Sequence, residues 1–505
     1  MTITTNHRIA YPLTLLLVGV LCTCAPAQTN PSADATLTLS ELQAAAAARA
    51  EQVVIAEQQQ RAARLELDAF EAGLKPRLDL AATLPNYFRT STEVTQDDGT
   101  IAFREIELNN SSVSLFANQR IAATGALIGL ETRLQRTDNF ALDAKSYNGS
   151  PVRLTLQQPI LAFNPWKWDR RLLPLQLQVS DATLQAARAD AALDATDLFF
   201  NLVSADQERR IAETNRSANE TLYEVATERY ELGQITRGDL VQLELEQASA
   251  EQNLLRAQRL VGRASADILQ YLGRDYNGQL LQPEAPEPTG ELVGLEIVAS
   301  RALALLEQRP ELLEIRQRVL LAEREADRIR RDLGPRFDLN ASIGLIRNAN
   351  EIDPIYRDPQ DERVVSLTFA VPLLDWGERS ALNKRANSEI ELARQLGERR
   401  IIQLEGQLTQ LLDQWTTLQE ELVLATRIRD LAEERFQISQ ESYTLGAIPL
   451  TDLTFAQQNR DLNTRAYAET LRAYWTTYAS LERLTLWDFI NDQPVYEGLN
   501  SELPN

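Results

Sequence analysis

The hexapeptide Tyr-Glu-Leu-Gly-Gln-Ile at residues 230–235 returns 213 positions later as Tyr-Thr-Leu-Gly-Ala-Ile at residues 443–448. Upstream, Leu-Thr-Leu-Gln-Gln-Pro-Ile-Leu at 154–161 returns at the same offset as Leu-Thr-Phe-Ala-Val-Pro-Leu-Leu at 367–374. Because the two motifs stay in register over about 75 residues, the segment between them has a fixed length, as a continuous helix does. The sequence therefore predicts one structural unit that occurs twice.

A second pair of motifs begins segments that alternate in polarity. Pro-Arg-Leu-Asp-Leu at 76–80 matches Pro-Arg-Phe-Asp-Leu at 335–339 at an offset of 259, so the first copy carries 46 extra residues before its second strand. Alternation of apolar and polar residues predicts a strand with two different faces, and about ten such residues also fit a tilted strand in a bilayer. The extra segment holds two more alternating runs, 113–121 and 127–134. We therefore expect four to six strands per protomer, that is, from both repeats of one chain together, too few to close a barrel alone.

Long helices are predicted between the strands and the glycine motifs. No proline lies between Val179 and Gln282 or between Leu373 and Ile448, and Ala, Leu, Gln, Glu and Arg dominate both segments. Residues 377–441 as one helix would be roughly 95 Å long. A heptad seam is predicted on this helix at Leu408, Leu411, Trp415, Leu418, Leu422 and Ala425.

The first 27 residues have the pattern of a signal peptide, with Arg8, an apolar run at 11–20 and Ala-Pro-Ala at 25–27. A lipoprotein signal modified at Cys24 is the alternative. The predicted organisation is a signal peptide at 1–27, a first repeat at 28–282 (strands at about 77–158, long helices at about 175–273), a linker at 283–290, a second repeat at 291–488 (strands at about 336–371, long helices at about 377–488) and a tail at 489–505.

The composition argues against most enzymes. Cys22, Cys24 and His7 are the only cysteines and histidine, and all three lie in the predicted signal peptide. The remaining chain therefore has no thiolate, no Cys/His zinc site and no imidazole base. No catalytic residue, cofactor or metal is predicted. The net charge of −21 argues against nucleic acid, which needs a basic surface. No apolar stretch of 18 residues follows the signal peptide, so an exported chain of this kind would enter a membrane only as a β-barrel.

The duplicated strand start at 76–80 and 335–339, the strand end Leu-Thr-Phe-Ala-Val-Pro-Leu-Leu-Asp-Trp-Gly at 367–377 and the two glycine turns resemble the TolC family of outer-membrane channels. The resemblance covers nearly all of the chain after the signal peptide. It implies a mainly α fold with membrane β-strands. Three protomers would form one β-barrel, normally with four strands from each protomer, and an α-helical tunnel would continue this barrel into the periplasm.

The same resemblance implies the function and its partners. The chain would be the passive exit duct of a tripartite efflux pump or type I secretion system, located in the outer membrane and reaching into the periplasm. Its partners would be two further copies, a periplasmic adaptor (membrane fusion) protein, an inner-membrane RND or ABC transporter and outer-membrane lipid, with no nucleic acid.

The resemblance also assigns candidate residues. Leu232, Gly233, Leu445 and Gly446 would form the turns on which the adaptor docks. Asp452 would form a ring of carboxylates on the threefold axis, and Asp239 is its counterpart; for both, helix capping is an equal alternative. Some members of the family carry a second acid three residues after this position, where this chain has Phe455. The remaining candidates are Arg237 and Tyr443 for contacts that close the tip, with a solvated helix end as the alternative, and Trp166, Trp168 and Trp376 for an interfacial aromatic belt, with packing at the barrel–helix junction as the alternative.

Two other classes of protein remain open at this point. A secreted or surface coiled-coil stalk would explain the helices, although it leaves the paired amphipathic strands and their duplication without a purpose. A hydrolase is the third hypothesis, and the lack of His and Cys after the signal peptide counts against it.

Overall fold

A computed structural model describes residues 36–96, 99–288, 306, 308–491 and 493–495. The predicted signal peptide with Cys24 lies outside these residues, as do the end of the predicted linker and most of the predicted tail. No helix in the described part of the chain is both long enough and apolar enough to cross a membrane.

Eight helices are described in these ranges, four of which form two long antiparallel pairs. In chain order they are α1 Leu39–Arg49, α2 Glu51–Gly73, α3 Pro165–Glu231, α4 Arg237–Tyr271, α5 Pro310–Asp332, α6 Asp353–Arg357, α7 Glu378–Thr444 and α8 Leu450–Thr485.

The helices α3 and α7 are equivalent in the two repeats, and each has 67 residues. At 1.5 Å per residue each is about 100 Å long. Helix α3 begins at Pro165, N-terminal to the predicted start near 175, because the Asn164 side chain accepts a 3.3 Å hydrogen bond from the Lys167 amide and caps the helix there. Equal lengths place the two glycine turns at the same distance from the strands.

Seven strands form one antiparallel sheet: β2 Arg77–Thr83, β3 Tyr87–Thr95, β4 Ile101–Ile121, β5 Ala126–Asn139, β6 Ala144–Ile160, β8 Arg336–Ala349 and β9 Gln360–Ala370. Two short pairs complete the topology: β1 Thr36–Thr38 with β7 Gln282–Glu284, and β10 Trp487–Asp488 with β11 Gln493–Pro494.

Six positions side by side make up this sheet, because β2 and β3 both pair with β4 and follow one another along it. The order is then β4, β5, β6, β8 and β9. The extra segment of the first copy forms β4 and β5, joined by the turn at 122–125. Six positions therefore exceed the four that the resemblance implied, because β2 pairs with β4 and not directly with β6.

The two faces of the sheet differ in polarity. Directly opposed residues share a face, and one row runs through Leu78, Ala117, Leu130, Leu154 and Ile343, on five successive positions. The opposite face is polar and carries an ion pair of 2.6 Å between Arg153 of β6 and Glu362 of β9. The two side chains meet across Gly344 of β8, which lies between them in the sheet. A side chain on Gly344 would not fit, because its Cβ atom would lie 2.7 Å from the Val152 carbonyl oxygen.

The largest core cluster lies in the helical part, where α3, α7 and α8 meet the N-terminal helices. Trp415 is almost fully buried and packs against the rings of Tyr474 and Tyr478, at centroid distances of 5.5 and 6.2 Å. Leu408, Leu418 and Leu422 of the predicted seam are also buried, Leu411 is partly buried against the same cluster, and Leu412 is buried in addition to the predicted residues. This core holds the two repeats together.

Candidate functional site: the helical tip

The end of the molecule farthest from the sheet consists of two turns with the same hydrogen-bond pattern. In the first turn the amide of Gly233 donates to the Tyr230 carbonyl at 2.9 Å, and the amide of Gln234 donates to the Arg229 carbonyl at 2.8 Å. The second turn repeats these bonds from Gly446 and Ala447 at the same distances. This is the Schellman motif, which needs a left-handed residue after the helix, and the φ angles of the two glycines are 68° and 76°.

Leu232 and Leu445 are the last residues before these glycines, and both are exposed. Their exposed fractions are 71% and 84%. Leucine in open solvent at both equivalent positions contrasts with the buried core that begins one turn above. The two turns therefore present a pair of apolar side chains on a polar surface.

The two acids that follow the turns are held differently. The carboxylate of Asp239 accepts hydrogen bonds from the Thr236 amide at 3.0 Å and the Thr236 hydroxyl at 2.8 Å, and the Asp239 amide donates back to that hydroxyl. This capping box starts α4, and its hydrogen bonds lower the pKa of Asp239. Capping, one of the two predicted roles of Asp239, is thus observed.

Asp452 is not used in this way. The N-cap position of α8 is Pro449, which has no side-chain acceptor, and only the backbone amide of Asp452 is engaged, through a 3.2 Å bond to the Pro449 carbonyl. The Asp452 side chain is exposed and makes no hydrogen bond or ion pair with any residue that the structure describes. This carboxylate therefore lies in the first turn of α8 but forms no capping hydrogen bond among the described residues.

Arg229 joins the two turns. Its Nη2 donates to the Thr444 carbonyl oxygen at 2.7 Å, both Nη atoms lie 3.5 Å from the Tyr443 carbonyl oxygen, and its Cζ lies 5.5 Å from the centroid of the Tyr443 ring. A cation at the C-terminal end of a helix is favourable because it meets the free carbonyls and the negative end of the helix dipole. The end of α3 thus holds the end of α7.

The ring of Tyr443 packs beneath the Arg229 guanidinium group. It is buried, with 7% of its surface exposed, and burial raises the pKa of its hydroxyl. It belongs to a cluster that contains buried residues from all four long helices: Leu222, Ala226, Leu243, Phe436, Tyr443, Leu453 and Ala456. Arg237, in contrast, is exposed and has no ionic partner within the described ranges.

A buried polar cluster lies on the sheet side of this apolar cluster. Arg460 of α8 donates to Asp461 at 2.6 Å, Asn215 of α3 donates to the same carboxylate at 2.6 Å, and Arg460 also donates to the Asn215 side-chain oxygen. Arg460 and Asp461 are 4% and 8% exposed, and the guanidinium lies 4.1 Å above the Phe436 ring. This network ties α3 to α8 through fully paired charges.

The three candidate tryptophans lie at the opposite end, where the strands meet the helices. Trp168 donates from Nε1 to Asp327 of α5 at 3.0 Å, and this bond contributes to a lowered pKa of Asp327. Trp168 therefore contacts α5 where the strands meet the helices. Trp166 is half-buried beneath Arg120, whose Cζ lies 4.4 Å from its ring. Trp376 is 90% exposed on the turn that leads into α7.

The structure thus brings together Leu232, Gly233, Leu445, Gly446 and Tyr443 at one end of the molecule, and places Asp239, Arg237 and Asp452 on the adjacent first turns of α4 and α8. Sequence reasoning missed Arg229, Thr236 and the Arg460–Asp461 pair. A basic residue in the last turn of α3 and a Thr-x-x-Asp pattern before α4 were signals for the first two.

A duplicated chain with a two-faced sheet and helices of 67 residues that end in a common tip defines a class: outer-membrane channels with a helical tunnel. The outer-membrane channel CmeC of Campylobacter jejuni matches with a TM-score of 0.64 and 14% identity, over 91% of this chain and 87% of that one. The outer-membrane protein VceC of Vibrio cholerae matches with a TM-score of 0.63 and 16% identity, over 88% of this chain and 96% of that one. The open state of the MtrE outer-membrane channel of Neisseria gonorrhoeae matches with a TM-score of 0.53 and 16% identity, over 88% of each chain.

The chain belongs to the outer membrane efflux protein family, whose model matches residues 42–274 and 303–485. No curated protein sequence matches it significantly. The predicted TolC-type fold, a β-barrel continued by an α-helical tunnel, is confirmed. The protein is an outer-membrane efflux channel that reaches into the periplasm and works as a trimer with an adaptor protein and an inner-membrane pump. The coiled-coil stalk and the hydrolase are not supported, because channels of this family are transport ducts without enzymatic activity.

Proposed function

We propose that the end with the two glycine turns is the periplasmic entrance of the channel and that Leu232, Gly233, Leu445 and Gly446 are the adaptor-docking surface. The exposed leucines support this proposal, because exposed apolar side chains at matching positions suit protein contacts. Around Gly233 and Gly446 an added Cβ would meet no atom within 4 Å, so an adaptor can approach the backbone closely. Three copies present six such turns.

Asp452 is the proposed selectivity residue of this entrance. The observation that carries the proposal is the contrast between the two acids: Asp239 is used in a capping box, whereas Asp452 is exposed and unpaired among the described residues. On a threefold axis, three such carboxylates form a ring that attracts cations and repels anions. Phe455, one turn further along α8, is 54% exposed and stacks with Arg435, so a single acidic ring is expected.

Closure of the entrance would use two kinds of contact. Arg229 and Tyr443 hold α3 against α7 within one copy. Arg237 is exposed on the first turn of α4, so it remains available for a neighbouring copy. The closed tip is then stabilised within each copy by the first contact and between copies by the second.

At the other end, we propose that Trp376 lies at the inner surface of the outer membrane. Leu373 and Leu374 next to it are 94% and 69% exposed, and such a patch suits contact with lipid. Trp166, half-buried under Arg120, lies at the same junction. The pump partner is of the RND or ABC class, the channel conducts passively, and the acidic chain does not bind nucleic acid.

Single-channel recording in planar bilayers tests the selectivity proposal. Asp452→Asn removes one charge per copy, so the ratio of cation to anion permeability is expected to fall, and Asp239→Asn is the matched control because that carboxylate serves its own helix. Equal effects of the two substitutions, or no effect of Asp452→Asn, would contradict the role of Asp452.

A further inference from the structure

The sheet of one protomer has two edges, and the strands at these edges run in opposite directions. On one edge lie β2 and β3, which lead away from α2 and the helical part, and on the other edge lies β9, which returns to α7. Within the described residues neither edge pairs with any other strand on its outer side. A neighbouring copy can therefore supply the missing partner, and the pairing of β9 with β2 and β3 of that copy would be antiparallel, like every other pair in the sheet.

The extra strands β4 and β5 are built into the wall of this sheet. The ladder between them runs from the pair Leu108 and Asn139 to the pair Ile121 and Ala126. Leu130 of β5 pairs with Leu154 of β6, and the next residue, Glu131, pairs with Arg153. Apolar and polar residues of the added strands thus continue the apolar row and the polar face of the strands that flank them.

A hairpin that lay outside a barrel would have no reason to match both faces of the wall. Leu130 is 49% exposed on the apolar side, while Glu131 lies on the polar side with the Arg153–Glu362 ion pair. Removal of β4 would also expose the ladder of β2, which pairs with it at seven positions from Arg77 to Thr83. The added strands therefore belong between β2 and β6.

We infer that three protomers close a barrel of eighteen strand positions, six from each protomer, with β9 of one protomer paired to β2 and β3 of the next. The inference rests on the trimeric channel and is independent of the docking and gating roles of the tip. Because barrel diameter grows roughly in proportion to strand number, the external part of the duct is about 1.5 times as wide as one built from four strands per copy.

Cysteine labelling of the trimer in lipid vesicles tests the placement of β5. Both natural cysteines precede the described residues, so a new cysteine is unique in the strands. With a membrane-impermeant maleimide, Glu131→Cys in the lumen is expected to react at least about tenfold faster than Leu130→Cys, because a thiol against lipid is neither hydrated nor ionised.

The matched control is the pair Ser342→Cys and Ile343→Cys on β8, which lies in the wall whether or not β4 and β5 do. If the β8 pair differs in rate and the β5 pair does not, the added hairpin is outside the wall and the inference is overturned while the channel stands. If neither pair differs although the trimer persists, the membrane barrel itself is refuted.

A deletion variant tests the width of the barrel. Removal of residues 101–144 takes out one returning and one outgoing strand, so β3 would join β6 through the segment that now joins β3 to β4. Lys145 would then take the place of Ile101 opposite Thr95, on the same face, so the inward and outward faces would keep their parity. The largest neutral polymer that enters from the external side is expected to shrink about 1.5-fold in radius. In the control, residues 91–105 are replaced by Asn-Gly, which shortens the β3–β4 hairpin but leaves six positions.

An unchanged polymer cut-off in the 101–144 deletion, with trimers intact, would overturn the inference. Electron cryo-microscopy of the wild-type trimer in nanodiscs gives the same answer without any variant. Eighteen strands in the wall confirm the inference, and twelve strands contradict it.

Discussion

The guanidinium group of Arg229 donates a 2.7 Å hydrogen bond to the backbone carbonyl oxygen of Thr444, so the last turn of one 67-residue helix holds the last turn of the other. The bond is charge-assisted and lies over the buried ring of Tyr443. It connects the two repeats at the point farthest from the sheet, beside the apolar cluster that all four long helices share.

Loss of this contact is expected to loosen the tip. A hydrogen bond to a charged group contributes about 1.5–3 kcal/mol, so Arg229→Ala should increase the mean conductance and its fluctuations in planar bilayers, and Arg229→Lys should do so partially because lysine lacks the planar fork. Arg237→Ala, which removes an exposed arginine from the same region, is the control. A larger effect of Arg237→Ala than of Arg229→Ala would show that contacts between copies dominate closure.

The exposed leucines provide a test of adaptor docking. Leu445→Ser is expected to reduce the recovery of the adaptor with the purified channel, because an apolar side chain that is 84% exposed would be replaced by a polar one at the proposed interface. Val423→Ser is the matched control, since Val423 is 71% exposed on the same helix but lies several turns from the tip. Equal loss of adaptor with both variants would place the docking surface elsewhere on α7.

The buried charges between α3 and α8 are expected to stabilise the helical part. Asp461→Ala leaves the buried Arg460 with only the more distant Glu433 carboxylate, 4.0 Å away. Loss of a buried ionic partner typically costs about 3–5 kcal/mol, so the thermal unfolding midpoint of the trimer should fall. Glu208→Ala is the control: it breaks an exposed ion pair with Arg465 between the same two helices, and such pairs contribute about 0–1 kcal/mol. Similar midpoints for the two variants would mean that the Arg460 network adds no more than a surface pair.

Stability is expected to depend on pH through Glu482. Burial, and to a lesser extent the nearby Asp488 carboxylate, raise the pKa of Glu482 to about 8. The folded protein therefore keeps a proton that the unfolded chain has already released, so this contribution to stability is complete below the ordinary glutamate pKa and declines as pH rises towards 8. Glu482→Gln should flatten the fall of the unfolding midpoint between about pH 5 and 8.

Glu469→Gln is the control for this pH dependence, because Glu469 is exposed on the same helix. If Glu482→Gln leaves the slope of the midpoint against pH unchanged, or if Glu469→Gln changes it equally, the dependence does not come from the half-buried Glu482 carboxylate.

Some features of this protein follow from the sequence by itself. The shared offset of 213 residues predicted helices of equal length, and α3 and α7 both have 67 residues. Gly233 and Gly446 predicted the two turns, because a left-handed residue after a helix strongly favours glycine. Alternation predicted strands with one apolar face. Each of these is a local pattern, in which residues near one another in the chain restrict the same backbone segment.

Only the tertiary structure decided which distant residues meet. Alternation marks a strand but not its neighbour, so the pairing of β2 with β4, and hence six positions instead of four, required the ladders themselves. The heptad pattern predicted Leu411, which packs against the core, but not the more deeply buried Leu412, because the neighbouring helices decide how much of each face is covered. Asp239 is engaged by Thr236, and Asp452 after Pro449 is not, for local reasons; the contact of Arg229 with Thr444, 215 residues further along the chain, instead required α3 and α7 to pack side by side.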